Sequence, residues 1–455
     1  MIKPLRSCPW GLTVVIIVYA LIHLAYIGIG FGEPDAWRNG LAAWEIGQGQ
    51  GYSPNRFPGF PVVEFSFGGL ARLFPPEHLW IYTNSLTLLI SLIGMLVYYR
   101  ILILHQITHP LLTLLGLYGI PVIFVNAASS MDHLWTMTFL LVTYWLLWKG
   151  KPALGSVFLA LSIGCRISAV LFLIPFSFFL FSNPGMFTRK KAVQGSLCLL
   201  SAAVISLLGY LYINLIVYPG FYYFQQLSLP RDYLRSGYYL LQEIFGLPGT
   251  LFLLVCFLIR RKDFPPWNWE SFMLAMMICL SLVLFVYRPE KAAYWIPVLP
   301  FLGIWMSRWL KGVSLYLLTV LIILNNIISF LVVQPSTEGF KIKWLNKGIT
   351  CEKYHSYEQY SRDADFLIRF PYPPDTEVGT GWRYPGILYL LNLPAYKGRS
   401  QQLLNDGIVF PGNLGKEKKK NTYWVFGSGS YRTERKLLLS EKYQIIYPPS
   451  TRTGP

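Results

Sequence analysis

The chain has 455 residues, of which 54% are hydrophobic and 13% are charged. A soluble domain carries roughly a quarter charged residues, so this composition excludes an ordinary cytosolic enzyme. The net charge of +17 would suit a nucleic-acid-binding protein if the excess formed one patch. The basic residues are instead scattered in short clusters between apolar runs, which is typical of a membrane protein and predicts no nucleic-acid partner.

Apolar segments that could cross a bilayer recur along the first three quarters of the chain, and a crossing helix needs about 20 residues. We identify eleven, at residues 10–30, 79–98, 111–126, 132–148, 153–165, 167–182, 194–217, 247–259, 268–287, 292–308 and 313–333. The run from Ala153 to Phe181 is divided because Arg166 stands near its middle, and an ionisable group at bilayer depth is costly. The first segment is too long for a cleaved signal peptide. The sequence therefore predicts an all-α polytopic membrane domain over residues 1–334.

The basic residues also predict an orientation, because cytoplasmic loops carry an excess of Lys and Arg. With a cytoplasmic N-terminus, inner loops collect 13 of the 21 basic residues before position 335: Lys3, Arg6, Arg100, Lys149, Lys151, Arg189, Lys190, Lys191, Arg260, Arg261, Lys262, Arg308 and Lys311. An odd number of spans then places the C-terminal part outside. Short loops and few glycosylation sequons outside favour a bacterial inner membrane with a periplasmic C-terminal domain.

The outer loops differ greatly in length. The first, residues 31–78, is about 48 residues long and rich in aromatic side chains, and loops of that length are usually functional or disordered. We expect short amphipathic helices at 36–47 and 62–74, lying on the membrane surface. A second long loop covers 218–246 and a short one 287–295.

The C-terminal part, residues 335–455, holds 29 of the 61 charged residues and predicts a soluble domain. Helix-like and strand-like stretches alternate there, which favours a small α/β domain. The expected helices are 352–369, 385–392 and 431–440, and the expected strands are 376–379, 422–426 and 443–447.

Asp35 is the first candidate for chemistry, because it lies a few residues beyond the first span, with Glu33 and Arg38 nearby. A carboxylate at a water–lipid boundary can take a proton from an acceptor hydroxyl, and partial desolvation raises its basicity. The alternative is structural, with Asp35 as the N-cap of the helix at 36–47. The spacing alone does not decide between these two roles.

Several basic residues at the outer face run against the orientation trend and need a partner: Arg38, Arg56, Arg166, Arg231, Arg235, Arg288 and Lys291. Each taken singly suits an ion pair with protein or a lipid headgroup. Together, near carboxylates, they suit a site for a phosphorylated lipid, because guanidinium groups bind phosphate bidentately.

Asp132 and His133 stand where the third span turns into the fourth, and His133 suits a helix cap. Asp132 could cap the helix or face Asp35 across the site. The remaining histidines show no metal-ligand spacing, and HEXXH, P-loop and GXSXG motifs are absent. The sequence therefore gives no support to ATP-driven or serine-hydrolase chemistry.

These features occur in an order that resembles the GT-C glycosyltransferases, polytopic enzymes that use polyprenyl-phosphate-linked sugars and include protein and lipid mannosyltransferases and aminoarabinose transferases. The resemblance covers most of residues 10–333. It is carried by Glu33 and Asp35 beyond the first span, by Tyr52-Ser53-Pro54-Asn55-Arg56-Phe57-Pro58-Gly59-Phe60-Pro61 before Glu64, by Asp132, by Gly164-Cys165-Arg166, and by Arg288-Pro289-Glu290-Lys291 with Tyr294 and Pro297. Many members have two adjacent acids in the first loop, whereas this chain has Glu33-Pro34-Asp35.

The resemblance implies that Asp35 is the catalytic residue of an inverting sugar transfer at the outer face. The donor would be a polyprenyl-phosphate sugar and the acceptor a lipid, glycan or protein. Arg288 with Lys291 or Arg166 would stabilise the departing phosphate. The expected substrate-binding residues are Glu33, Arg38, Tyr52, Arg56, Asp132, Arg166, Arg288 and Lys291. Tyr52, Trp37 and Trp44 could stack on sugar faces or anchor the loop in the membrane, and a divalent cation remains possible.

Two other function classes stay open. A transporter or flippase for lipid-linked glycans would carry charges at the bilayer midplane on broken helices. Here the ionisable groups stand mainly at the ends of the apolar segments, which favours the transferase. A scaffold whose outer domain binds a partner would depend on residues 336–455 regardless of Asp35.

Overall fold

The computed structural model describes residues 9–52, 54, 58–217, 237, 242–264, 266–287, 292–336, 339–347, 352–369, 376–379, 384–396, 408–409, 421–425 and 444–446. Within them the protein is mostly helical. The helices are α1 (Pro9–Ile27), α2 (Pro34–Gly47), α3 (Pro61–Leu73), α4 (Leu79–Leu104), α5 (Pro110–Tyr118), α6 (Pro121–Asn126), α7 (His133–Trp148), α8 (Pro152–Cys165), α9 (Leu173–Ser182), α10 (Arg189–Tyr212), α11 (Gly246–Arg260), α12 (Trp269–Tyr287), α13 (Leu299–Trp309), α14 (Val313–Ile327), α15 (Glu352–Arg369) and α16 (Tyr384–Leu391).

Within the described part of the chain, three helical stretches are long and apolar enough to cross a membrane: Trp10–Ile27, Pro76–Leu104 and Arg189–Ile216. Four further apolar helices are shorter, at Pro152–Cys165, Ile167–Ser182, Trp269–Phe285 and Val313–Ile327. Large apolar side chains point outward from α1, α10 and α11, among them Ile17, Ile205 and Leu258. Such an apolar exterior is unfavourable in water and suits a lipid environment.

Two of the expected spans are interrupted. The segment 111–126 forms two helices, because α5 ends at Tyr118 and Pro121, which lacks a backbone N–H, begins α6. The segment 292–308 begins as a 3-10 turn at Ala292–Trp295, and α13 starts only at Leu299. Pro297 stands between them and cannot continue a helix.

The break expected at Arg166 is present. Helix α8 ends at Cys165, and Arg166 has an extended backbone with φ −151° and ψ 122°. A 3-10 turn at Ile167–Phe172 then leads into α9. The helix is thus interrupted at Arg166, which places this side chain just beyond the end of a helix and not within one.

The last expected span, 313–333, is wrong beyond Ile327. Helix α14 ends there, and strand β1 (Ile328–Ser336) follows at once. It pairs antiparallel with β2 (Gly339–Lys347), with Ile328 opposite Lys347 and Ser336 opposite Gly339. The apolar residues 328–333 are mostly β-branched or aromatic, a composition that favours a strand over a helix.

The C-terminal part contains α15, α16 and a four-stranded sheet. Its strands are β3 (Thr376–Gly379), β4 (Ile408–Val409), β5 (Asn421–Val425) and β6 (Gln444–Ile446), all parallel in the order β4-β3-β5-β6. Both helices and strands β3, β5 and β6 lie where the sequence predicts them, whereas β4 was not predicted. The expected helix at 431–440 lies outside the described residues.

The buried side chains form two hydrophobic cores. The larger joins α1 and α4–α14, and the smaller joins α2, α3 and the start of α4 to α15 and α16. In the smaller core, Trp37 and Leu41 of α2 pack with Tyr360 and Leu367 of α15 and Tyr389 of α16. The C-terminal part therefore lies directly on the loop that carries Asp35.

An ion cluster lies at the C-terminal end of α4. Since α4 is about 39 Å long, the cluster is far from the N-terminal end of this helix. Arg308 Nη2 donates to Glu270 Oε1 at 2.7 Å and lies 3.0 Å from His105 Nδ1, which also contacts Glu270. The Tyr144 hydroxyl lies 3.0 Å from His105 Nε2. The cluster ties together the ends of α4, α7, α12 and α13.

Candidate active site

Asp35 lies in the first turn of α2, whose start is set by the residues around it. Glu33 occupies the N-cap position with extended backbone angles of φ −68° and ψ 167°, so Asp35 is not the N-cap. Pro34 is the first helical residue, where its missing N–H costs nothing. The backbone N–H groups of Ala36 and Trp37 donate to the Glu33 carbonyl oxygen. An acidic residue in the first turn also interacts favourably with the helix dipole.

The Asp35 carboxylate forms an ion pair and is still partly exposed to solvent. Arg38 Nη1 lies 3.6 Å from Asp35 Oδ1, and the side chains of Asp35 and Arg38 are 17% and 10% exposed. One turn of helix brings the two groups together because residues i and i+3 share a face. The site therefore presents a carboxylate beside a guanidinium, with partial access from solvent.

Hydrogen bonds join α2 to the segment that precedes α7. The Asn39 side-chain amide donates to the Ser130 carbonyl oxygen at 2.9 Å. The Phe31 carbonyl oxygen accepts from the Ser130 backbone N–H at 3.1 Å and from the Ser129 hydroxyl at 2.8 Å. Since Phe31 and Asn39 lie four residues before and four residues after Asp35, these bonds hold the start of α2 against the segment that leads into Asp132.

A buried polar network supports this junction from α4. The Asn84 amide donates to the carbonyl oxygens of Ile27 and Gly30 at 3.0 and 2.8 Å, which satisfies acceptors at the end of α1. The Ser130 hydroxyl donates to Asn84 Oδ1 at 2.8 Å and lies 2.7 Å from the Thr83 hydroxyl. Buried polar groups of this kind hold a backbone in one arrangement because leaving them unpaired is costly.

Asp132 and Arg166 form the second charged pair. Arg166 Nη1 donates to Asp132 Oδ2 at 2.5 Å and to His133 Nδ1 at 2.9 Å. Asp132 is fully buried, whereas the Arg166 side chain is 12% exposed. Asp132 occupies the N-cap position of α7, but its side chain makes no capping hydrogen bond. Its carboxylate instead orients the guanidinium.

Aromatic rings line the Arg166 guanidinium. Its Cζ lies 4.8 Å from the centre of the Tyr294 ring and 5.9 Å from that of Phe60. The His133 and Tyr294 rings are 6.1 Å apart. Aromatic faces attract a cation and hold it without using its hydrogen-bond donors. Among the described residues, the hydrogen bonds of Arg166 involve Nη1 only.

Glu64 is a fully buried carboxylate that sequence reasoning did not place in the site. Its Oε2 accepts from the Tyr52 hydroxyl at 2.5 Å and from the Phe60 backbone N–H at 2.8 Å. Burial, and then the Glu64 carboxylate, raise the pKa of Tyr52 well above its usual range. Tyr52 therefore stays protonated and acts as a donor that shapes the loop, with its ring 4.9 Å from that of Phe65.

Tyr210 lies near both Glu64 and the Asp132–Arg166 pair. Its hydroxyl donates to the Ile163 carbonyl oxygen at 2.7 Å and interacts electrostatically with Glu64, Asp132 and Arg166. Tyr210 belongs to α10 and lies in an apolar run, so no sequence signal marks it. The structure thus brings Glu64 and Tyr52 into the neighbourhood of the Asp132–Arg166 pair.

The three aromatic candidates for sugar stacking differ in access. Trp37 is fully buried, with its ring 5.1 Å from Phe31 and 4.9 Å from Tyr360, so the prediction that it stacks on a sugar is wrong. The ring is buried because the C-terminal part covers it, whereas the prediction assumed a loop exposed to solvent. Trp44 and Tyr52 are half-buried.

Three expected site residues, Arg56, Arg288 and Lys291, lie outside the described residues. Of the others, Glu33, Asp35 and Arg38 share the start of α2, and Asp132 and Arg166 form a pair near it. Within the described parts of the chain, no group of three or more His, Cys, Asp or Glu side chains is placed to hold a metal ion.

Comparison of the chain with protein-family models, with curated proteins and with solved structures finds no match.

Proposed function

We propose that this protein is an integral membrane glycosyltransferase that moves a sugar from a polyprenyl-phosphate-linked donor to an acceptor at the outer face. Asp35 is the general base in this proposal, and the transfer inverts the anomeric centre. The acceptor is a lipid, glycan or protein hydroxyl. The class of reaction comes from the resemblance of the sequence motifs, and the arrangement of the acidic and basic side chains supports it.

One observation carries the proposal: the helix that bears the partly exposed Asp35 carboxylate is hydrogen-bonded to the segment that leads into Asp132, the residue that holds Arg166. The Ser130 backbone N–H donates to Phe31, and the Ser130 carbonyl oxygen accepts from Asn39. These bonds hold the start of α2 against the segment that ends in Asp132. Asp132 in turn holds Arg166, which comes from the end of α8. A base and a phosphate-binding group within one site are the two elements that this transfer needs.

The chemistry is a single displacement. Asp35 takes the proton of the acceptor hydroxyl as its oxygen attacks the anomeric carbon, and the bond from that carbon to the phosphate oxygen breaks. The polyprenyl phosphate leaves with the electron pair. In the proposal, the Nε and Nη2 donors of Arg166 stabilise its negative charge, since a guanidinium fork matches phosphate oxygens. Asp132 and the Tyr294 ring hold the fork in place.

The proposal includes a topology of eleven spans with a cytoplasmic N-terminus. In it, an outer α/β domain covers residues 335–455, and the host membrane is a bacterial inner membrane. The positions of the charges support a transferase over a transporter. The ion pairs Asp35–Arg38, Asp132–Arg166 and Glu270–Arg308 each lie within about one turn of a helix end. Charges at the middle of a helix, which transporters use, do not occur in these pairs.

The test compares the Asp35→Asn variant with the unmodified protein in proteoliposomes. The donors supplied are polyprenyl phosphates linked to a radiolabelled hexose or pentose. We expect release of polyprenyl phosphate and sugar transfer to fall by about 10²- to 10⁴-fold, because the amide cannot accept the proton. Membrane insertion and thermal unfolding should match the unmodified protein.

Asp263→Asn is the matched control. Asp263 also forms an i,i+3 pair with an arginine, Arg260, but it lies at the end of α11 and is 51% exposed. It should retain full transfer. A fully active Asp35→Asn protein would contradict Asp35 as the base, and movement of intact donor across the bilayer without sugar release would identify a transporter instead.

A further inference from the structure

We propose that helices α15 and α16 of the C-terminal part act as a clamp on Trp37 that sets the position of Asp35. In this role Tyr360, Gly386 and Tyr389 are positioning residues. The inference rests on the proposed function, since it assigns the C-terminal part a task in the same transfer.

The first step of the argument is the geometry of α2. Side chains two residues apart on a helix project about 200° apart, and those four apart share a face. Asp35 and Asn39 therefore face one side, where Asn39 donates to the Ser130 carbonyl oxygen. Trp37 projects from the other side. A rigid helix held at Trp37 consequently holds the carboxylate on its opposite face.

The second step is the contact at Trp37. Its ring lies 4.9 Å from that of Tyr360 and 5.9 Å from that of Tyr389. Behind it, Phe31 and Trp80 lie at 5.1 and 6.4 Å. The pairs with Tyr389 and Phe31 are edge-to-face, which adds stabilisation beyond the buried area, and those with Tyr360 and Trp80 are tilted. The C-terminal part thus completes an aromatic box around Trp37 of α2.

The third step is the fit of the clamp to this side chain. A Cβ atom on Gly386 would lie 3.1 Å from Trp37 Cδ2 and 2.7 Å from the Tyr360 ring. Glycine is therefore required for α16 to approach α2 this closely. The Tyr389 hydroxyl also donates to the Pro76 carbonyl oxygen at 2.5 Å, which fastens α16 to the end of the same outer loop. Burial, with Glu77 nearby, raises the pKa of Tyr389 well above its usual range, so it remains a donor.

Gly386→Leu and Tyr389→Phe test the clamp. The first forces α16 away from Trp37, and the second removes only the hydrogen bond to Pro76. We expect kcat to fall by about 30-fold for Gly386→Leu and about 3-fold for Tyr389→Phe, with the KM for the lipid donor within about twofold of normal, because a small misplacement of a catalytic group costs turnover more than binding. Backbone amides of residues 34–47 should exchange with deuterium faster in both variants.

Tyr396→Phe is the control. Its hydroxyl donates to Asp365 within the C-terminal part at 3.2 Å, so its loss should alter neither kcat nor exchange in α2. Unchanged kcat and unchanged exchange in both clamp variants would overturn the clamp. If the unmodified protein transfers no sugar, the proposed function fails, and the exchange measurement still decides whether the C-terminal part holds α2. If kcat falls by the same factor in the two clamp variants and in Tyr396→Phe, the cause is general destabilisation, and that result would also overturn the inference.

Discussion

Arg166 and Asp132 are 34 residues apart in the chain, yet Nη1 of the arginine lies 2.5 Å from Oδ2 of the aspartate. One residue ends α8 and the other precedes α7, so the two helices meet at this pair. The carboxylate is fully buried and the guanidinium is partly open, which makes Asp132 the anchor and Arg166 the group that can meet a ligand.

Arg166→Lys keeps the charge but loses the planar fork. We expect kcat/KM for sugar transfer to fall by about 10- to 100-fold, because a lysine ammonium cannot hold both Asp132 and a phosphate in the same geometry. Steady-state kinetics in proteoliposomes measures this. Arg260→Lys, at an exposed pair with Asp263, should transfer at the normal rate. Equal rates for Arg166→Lys and the unmodified protein would remove Arg166 from the site.

Gly32→Ala should destabilise the junction beneath α2. Gly32 has φ +117°, and an added Cβ would lie 2.1 Å from the Ser129 hydroxyl oxygen, which bonds the Phe31 carbonyl oxygen. Strain at positive φ costs about 1–3 kcal/mol, and the overlap adds to it. Chemical denaturation in detergent gives the free energy of unfolding.

Gly49→Ala separates these two causes, because Gly49 has φ +73° with no atom within 4 Å of the added Cβ. It should show the backbone strain alone. Equal losses for the two variants would mean that the contact with Ser129 contributes nothing.

Glu270→Gln should destabilise the ion cluster at the far end of α4. Glu270 is 25% exposed and accepts from Arg308 while contacting His105, so its loss leaves the partly buried Arg308 guanidinium without its anion and removes the contact with His105. Removing one partner of a buried pair costs about 3–5 kcal/mol, and the partial exposure of Glu270 reduces this to about 2 kcal/mol. Thermal unfolding of the detergent-solubilised protein measures the loss.

Asp263→Asn is again the comparison, since the Arg260–Asp263 pair is more exposed. An exposed pair contributes about 0–1 kcal/mol. A loss for Glu270→Gln no greater than that for Asp263→Asn would show that the cluster does not stabilise the helix ends.

Apolar runs, together with the polar and charged residues that interrupt them, were enough to predict most helices. The cost of burying Arg166 located the break after α8, and the amphipathic pattern within residues 31–78 located α2 and α3. Hydropathy failed where an apolar run changes secondary structure. Residues 328–333 continue the hydrophobic run of α14, but their backbone hydrogen bonds go to β2, a partner that hydropathy does not consider.

The site was predictable in its residue types and less so in its contacts. Asp35, Asp132 and Arg166 stand out because charges near apolar helix ends are costly and therefore informative. The burial of Trp37 was not predictable, since it depends on residues more than 300 positions later in the chain. Tyr210 was missed because a tyrosine in an apolar helix carries no signal of what its hydroxyl meets.

The contact between Trp37 and Tyr389 restricts every possible threading of the chain through a bilayer. Two side chains that touch must lie on the same side of the membrane, so the number of crossings between residues 37 and 389 must be even. A scheme of eleven spans has ten between them and meets this parity rule. Any scheme that adds or removes a single crossing in that interval would pull the aromatic box apart.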